Sequence, residues 1–560
     1  MTSVAPTPAL ADPPTTNRPV TAEGLTLLAG DRVLIDRADL RLEAGAVLAL
    51  TGGAGAGKTL LLRALAGLPL PGVAQAGQAH VDGRRLLIAQ GGRMAPQRPL
   101  ALQAADVIGH HLGLDTSAAL RRMADALDRM GVPAAARRFD LPPDRLPDSL
   151  RWAALFALAI AVGPAVLLTD APAAGLDPTV RLRLLHRLAD WARESAVALI
   201  FAGRPEDGLD GPADQRLALH GGRLLPTPAE PTPLPAPNPA RGQAGTEVMS
   251  ARGVTVSFPL GVGPTGEERR LTVVHPLDLD LADGETLVLL GETGSGKAML
   301  ARALLHLPPP TKGNIAWMGR DLAKADAAGM RRIRRDLQPL FPDPAASLDP
   351  AMTVGGQLAT VLESLRPEIP ADRRAHRVAD ALRSVGLPAD TATRWPASLN
   401  PPEAARVGLA RALIPEPRAL VCDEPLATLS AEERADFWDD LLTARDRRRL
   451  SVILTTERAE EGLRHADRAL VLLMGRVVES GDADALLHHA RHPYTQAMLS
   501  AARGEAPALD GDAPSALRPP DGCALRLRCP KARSFCAQAI PALEQVAPGH
   551  RVACHYWDTP

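Results

Sequence analysis

Short, fully apolar runs alternate with amphipathic stretches along most of this chain. Val47-Leu-Ala-Leu reads as a buried strand, and Leu60-Leu-Leu-Arg-Ala-Leu after it as a helix. Ala165-Val-Leu-Leu-Thr-Asp170 and Leu420-Val-Cys-Asp423 read as further buried strands, each ending in a carboxylate. Strand patterns alternating with helical ones predict an α/β fold with a largely parallel sheet. One uncharged, strongly apolar run, Trp152–Leu168, is about 17 residues, near the lower limit for a membrane span. Gly163-Pro164 interrupts it and Asp170 follows, so it predicts a buried helix, a turn and a buried strand. A chain with no span acts at a membrane through a partner.

The pattern occurs twice. Residues 45–66 (GAVLALTGGAGAGKTLLLRALA) align without a gap on 284–305 (GETLVLLGETGSGKAMLARALL), and 164–178 align on 417–431. A tandem duplication follows, with a proline-rich stretch between the halves suited to an extended spacer. The predicted organisation is a disordered tail at 1–19, a first nucleotide domain at 20–225, a linker at 226–247, a second nucleotide domain at 248–485, and a C-terminal segment at 486–560. That last segment holds four of the five cysteines. The first residues carry no apolar signal segment. A formal net charge of -1 leaves no basic footprint for nucleic acid.

The repeated glycine runs carry the chemistry. Gly52 to Thr59, with Gly55, Gly57 and Lys58, fits GxxxxGK(S/T) between a strand and a helix. Such a loop cradles phosphates on backbone N–H groups and a helix N-terminus. Lys58 would reach the outer phosphates of ATP, and Thr59 would ligate Mg2+. The second loop keeps Gly291, Gly294, Ser295, Gly296 and Lys297 but has Ala298 in the hydroxyl's place. On the acidic strands, Asp170 and Asp423 would hold Mg2+ through water. Glu424 would be the catalytic base of the second half; Ala171 takes that place in the first. Cys422 reads as core packing.

Both halves resemble ATP-binding-cassette (ABC) transporter ATPase domains of the oligopeptide/dipeptide/nickel uptake branch. The resemblance rests on Phe341-Pro-Asp-Pro-Ala-Ala-Ser-Leu-Asp-Pro350, Arg491-His-Pro-Tyr-Thr-Gln-Ala-Met-Leu499, and Gly522-Cys523 with Arg528-Cys529-Pro530. It implies tandem P-loop NTPase (ABC cassette) domains, each a mainly parallel sheet flanked by helices plus a helical subdomain. It also implies an energy-coupling subunit at the cytoplasmic face of the inner membrane. ATP would bind at the interface of the two cassettes, paired within the chain. Partners would be two integral-membrane permease subunits and, indirectly, a substrate-binding protein. A magnesium-sensing glutamine falls at Gln97, with Gln90 as the alternative.

The sequence departs from that pattern at several places. The signature LSGGQ is replaced by Leu146-Pro-Asp-Ser-Leu-Arg151 and by Leu399-Asn-Pro-Pro-Glu403. The second half has Pro342 for the glutamine, the switch-histidine positions read Gly203 and Thr456, and Ser430 faces Asp177 of the first half in the alignment. Weak hydrolysis is expected, with a non-hydrolysing regulatory or scaffold paralogue as the alternative. Cys523, Cys529, Cys536 and Cys554 suit zinc or an iron–sulfur cluster. The resemblance favours a four-iron, four-sulfur cluster there. His550 and His555 read as packing or surface residues.

Overall fold

The computed structural model describes residues 19–227, 245–262 and 268–559, apart from 54, 93, 133, 135, 136, 345, 427, 428, 430, 510, 512, 513 and 515–518. Residues 1–18 of the expected tail at 1–19, residues 228–244 of the expected linker, and Ser430 lie outside the described residues. The chain divides into two compact units, Met1–Pro231 with Arg503–Ala506, and Thr232–Ala502 with Pro507–Pro560.

In the first unit the main sheet runs Arg85–Ile88, Val166–Asp170, Ala198–Gly203, Val47–Thr51, Gln215–His220, Arg223–Pro226. All neighbours are parallel except the last pair. Val47–Thr51 and Val166–Asp170 are buried at every position, as strands covered on both faces must be. Helices Leu100–Leu112, Thr116–Arg129 and Asp148–Val162 pack together as the helical subdomain. The apolar run from Trp152 resolves as expected. The helix ends on Gly163 in the left-handed conformation, and the strand starts at Val166.

The second unit repeats this plan. Its main sheet runs Leu337–Leu340, Ala419–Asp423, Ser451–Thr456, Thr286–Leu290, Arg468–Leu473, Arg476–Asp482, His550–Val552, Glu544–Ala547. The first five strands are parallel and the rest antiparallel. The cysteine-bearing segment is therefore not an appendage. His550–Val552 lengthens the sheet, and Tyr494, Leu499, Leu509 and Leu525 join its core.

Each unit also holds an antiparallel sheet that the apolar runs did not signal. In the first, Val20–Ala29 lies between Arg32–Leu42 and Ala74–Val81. Its burial alternates because one face meets solvent, so it lacks the continuous apolar run of the parallel strands. In the second unit, Glu247–Val262 pairs with Glu268–Ala282 and Lys312–Trp317. No described helix is long and apolar enough to cross a membrane.

Buried Glu479 ties the C-terminal segment down. It accepts the N–H groups of Arg491 (2.6 Å) and His492 (3.2 Å) and pairs with His550 Nε2 at 2.8 Å. His550 is thus a buried packing residue, while His555 is half-buried. Next to Glu479, burial pushes His492 down to about 4, and its Nδ1 accepts the Tyr494 N–H at 3.1 Å. Below the ordinary histidine value of 6.5, an unfolded chain takes up a proton that the folded one refuses. Stability from this group falls by about 1.4 kcal/mol per pH unit between those two values. His492→Asn keeps an acceptor but does not titrate. The stability advantage of the parent over this variant, measured by urea unfolding, is expected to shrink as pH falls through that window. A difference independent of pH would refute the assignment.

Candidate nucleotide sites

In the first unit the strand Val47–Thr51 runs into the glycine loop and the helix Lys58–Leu65. Gly55 and Gly57 have φ of 74° and 102°, which L side chains rarely adopt. A Cβ on Gly52 would lie 2.6 Å from the Leu219 carbonyl oxygen, so close approach also demands glycine there. Lys58 Nζ folds back onto the loop, donating to the carbonyls of Gly52 (2.7 Å) and Gly53 (2.8 Å). Thr59 Oγ1 donates to Asp170 Oδ2 at 2.6 Å. A hydroxyl and a carboxylate meeting beside a phosphate loop are the oxygen donors a hard cation such as Mg2+ takes. After Asp170 the backbone turns at Ala171 with φ 48°, the turn that Glu424 makes at φ 44° in the second unit. The turn is kept and the carboxylate is gone.

In the second unit the same loop is differently charged. Lys297, almost wholly buried, meets Glu424 Oε1 at 2.7 Å and Glu457 Oε1 at 3.3 Å. Glu457 also accepts a hydrogen bond from Thr293 Oγ1 in the loop. Asp423 accepts from Thr455 Oγ1 at 3.0 Å and faces Arg302 at 3.4 Å. With Ala298 beside it, Asp423 has no hydroxyl partner of the Thr59 kind, and the residues fit Mg2+ poorly. Burial pushes the Glu424 carboxyl up; Lys297 opposes this, and Glu457 and Asp423 add to it. Ser295 is buried, and its hydroxyl has no hydrogen-bond partner among the described residues. Glu457 was not anticipated from the sequence. It follows the middle strand Ser451–Thr456, and only the fold brings that strand's end to the phosphate loop.

Strand register aligns the two halves. Ile88 pairs with Thr169, one before Asp170, and Leu340 pairs with Cys422, one before Asp423. Pro342 is therefore level with Gln90, the alternative to Gln97. Gln97 sits seven positions further along, in an exposed turn. Asp170 pairs with Ala202 and Asp423 with Thr455, so Gly203 and Thr456 are level. A Cβ at Gly203 would lie 2.6 Å from Leu209, and the Thr456 hydroxyl accepts from the Arg458 N–H at 3.1 Å.

The segments Leu146–Arg151 and Leu399–Glu403 both lie at helix starts. Pro401 and Pro402 begin the helix Pro401–Leu413, and the next free N–H, that of Glu403, donates to Asn400 Oδ1 at 2.9 Å. Glu403 in turn accepts the Asn400 N–H at 3.0 Å and is gripped by Arg394 at 2.8 and 3.0 Å. This helix start has two donors removed and a third already used. In the first unit the helix Asp148–Val162 starts without a side-chain cap, and the Asp148 carboxylate pairs with Arg151.

The four C-terminal cysteines are unbridged. They share a neighbourhood: Cys529 feels Cys554, Cys523 and Cys536, though burial is the larger cause that pushes it up to about 11. Burial likewise raises Cys523 and Cys554, and pushes the core residue Cys422 far up. Among the described residues no group of three or more His, Cys, Asp or Glu closes tightly enough to hold a metal ion. Neither zinc nor a cluster finds support in this arrangement.

A phosphate loop at the end of a buried parallel strand, built twice, defines a tandem P-loop nucleotide-binding protein. The ABC transporter family model matches residues 35–174 and 274–427, and the C-terminal region of oligopeptide/dipeptide transporters matches 478–536. The chain belongs to the ABC transporter family, with two cassettes in one polypeptide. It is 37% identical to the oligopeptide transport ATP-binding protein OppF of Salmonella typhimurium over 51% of this chain and 88% of that one. A putative peptide import ATP-binding protein of Brucella ovis is 37% identical over 55% of this chain and 98% of its own. OppF of Escherichia coli K12 is 36% identical, covering 51% and 88% respectively. Membership of this family implies ATP and Mg2+ as ligands.

Two carboxylates on one lysine repel an incoming polyphosphate. At about 4 Å and an effective dielectric near 20, each like-charge contact costs about 4 kcal/mol before the chain relaxes. Glu457→Gln is expected to tighten nucleotide binding at the second loop by about tenfold. A fluorescent ATP analogue, titrated in a Lys58→Ala background, measures it. Unchanged or weaker binding would show that Glu457 does not oppose the phosphates.

Proposed function

We propose that this chain is the ATP-binding subunit of an importer for peptides, nickel or related small solutes, acting on two membrane-spanning permease subunits fed by a substrate-binding protein. The two cassettes bind ATP, the first more tightly, and hydrolysis is slow. The contact of Thr59 with Asp170 at 2.6 Å carries the reading. It keeps one complete hydroxyl–carboxylate pair for magnesium nucleotide, whereas Lys297 is already engaged by two carboxylates. Gln90, rather than Gln97, takes the magnesium-sensing role. Peptide import is supported by the similarity to oligopeptide transport and peptide import ATP-binding proteins and by the match to the oligopeptide/dipeptide C-terminal region.

Mg2+ would neutralise phosphate charge as the leaving oxygen develops. The residues around it bind and orient. Lys58 and the loop amides take the phosphates, and Thr59 and Asp170 hold the cation's place. The first loop has Ala171 where a base would orient the attacking water. Glu424 is a base, but it serves a loop lacking the hydroxyl. Missing electrostatic contacts of this kind each cost orders of magnitude in rate.

The proline-blocked start of the Pro401–Leu413 helix favours a second reading, a regulatory or scaffold subunit in which nucleotide binds without turnover. Steady-state turnover is expected below the roughly 1 per second that marks the low end of typical enzymes. Lys58→Ala is expected to remove most bound nucleotide and Lys297→Ala little. Turnover in the ordinary range, abolished by either substitution, would overturn slow hydrolysis. Bound nucleotide with no turnover at all would select the scaffold reading.

A further inference from the structure

Glu292 is the second residue of the second phosphate loop, and groups from the C-terminal segment hold it. Its carboxylate takes Arg528 in a two-pronged pair, Nη1–Oε2 at 2.7 Å and Nη2–Oε1 at 2.8 Å. Both side chains are almost fully buried, 1% and 4% exposed. Its N–H donates to the Tyr494 hydroxyl at 2.7 Å. Its carbonyl accepts from Lys297 Nζ at 3.3 Å and from the Ser295 N–H at 3.0 Å. One loop residue thus joins the lysine of the phosphate cradle to two side chains nearly 200 or more positions away in sequence.

Both partners are themselves fixed. Tyr494 follows His492, which is anchored on Glu479. Arg528 lies in a tight turn where its own N–H and that of Cys529 both donate to the Leu525 carbonyl, at 2.8 and 2.9 Å. Cys523 N–H closes the same turn onto the Cys536 carbonyl at 2.8 Å. In the first cassette the position of Glu292 is Gly53, so that loop has no carboxylate for such an anchor. The acid and its basic partner therefore occur together in one cassette, and the acid is missing from the other.

We infer that the C-terminal segment is a working part of the second nucleotide site, with Arg528 and Tyr494 as positioning residues that hold the phosphate loop in its receptive shape. A buried, doubly hydrogen-bonded ion pair fixes direction as well as distance. A loop ordered before nucleotide arrives loses less freedom on binding. The inference extends the proposed function, because it rests on the second loop receiving nucleotide, but its first readout needs none.

Hydrogen–deuterium exchange is measured on the full chain without nucleotide, for the parent, Tyr494→Phe, Arg528→Met and the pair Glu292→Gln/Arg528→Met. Arg528→Met alone leaves a buried charge unpaired and tends to unfold. The pair removes both charges, and Tyr494→Phe removes one hydroxyl, so folded variants remain. Amides from Glu292 to Gly296 are expected to exchange at least tenfold faster in Tyr494→Phe and in the paired variant, with the strand Ser451–Thr456 unchanged. In a Lys58→Ala background, affinity for a fluorescent ATP analogue is expected to fall at least fivefold in the same variants. Loop exchange within twofold of the parent in both folded variants overturns the inference. So does faster loop exchange with parental affinity, because the segment is then only structural. If the Lys58→Ala parent binds no nucleotide while loop exchange rises, positioning of the loop stands and nucleotide binding at that loop falls.

Discussion

Everything chemical in this molecule depends on one spacing within a parallel sheet. The phosphate strand and the acidic strand are not neighbours. A middle strand, Ala198–Gly203 in one unit and Ser451–Thr456 in the other, lies between them. All three end at the same edge because parallel strands in register must. The hydroxyl that starts the helix after the phosphate loop can then reach across to the acidic strand, as Thr59 reaches Asp170. The end of the middle strand lies against that edge too. In the second unit Thr455 binds Asp423 and the Glu424 N–H, and Glu457 lies against the loop. Side chains at the ends of these three strands thus set the charge of one small volume.

Within that shared frame the halves have diverged in charge more than in backbone. The left-handed turn after the acidic strand persists at Ala171 without its carboxylate. The loop glycines persist at Gly294 and Gly296, with φ of 82° and 97°, although the next helix has lost its hydroxyl at Ala298. Backbone geometry is held by burial of the flanking strands, which are apolar at nearly every position. The side chains at the strand ends are not held in that way. They can change without unfolding the sheet, and they have.

This difference explains what could be read from the chain. The phosphate loops, the acidic strands and the helix-turn-strand at Trp152–Leu168 were legible because each is a local pattern with a backbone reason. The antiparallel sheets were not, because a half-exposed strand such as Val20–Ala29 lacks a continuous apolar run. Sequence gives no register, so it could not align Gln90 with Pro342; the pairing of Ile88 with Thr169 does. Glu457 and Arg528 were invisible as site residues because each acts over more than 150 positions of sequence. Even so, the glutamate in GETGSGK, absent from GGAGAGK, was a signal that one loop had a partner the other lacked.

The cysteine segment makes the same point from the other direction. Its spacing invited a metal, but among the described residues no metal-sized group forms. Its visible work is mechanical. His550–Val552 covers the open side of Arg476–Asp482 by pairing Val552 with Glu479. Glu479 sits at that pairing, buried, with three donors. A carboxylate so enclosed needs those donors to satisfy its oxygens. The strand addition and the turn at Arg491-His492, two residues before Tyr494, therefore meet at one buried carboxylate. Glu292, paired with Arg528, is a second. Two buried carboxylates, Glu479 and Glu292, thus tie the next-to-last strand of the sheet and a loop at the strand ends to directional partners, which hydrophobic contact alone, having no direction, would leave free to slide.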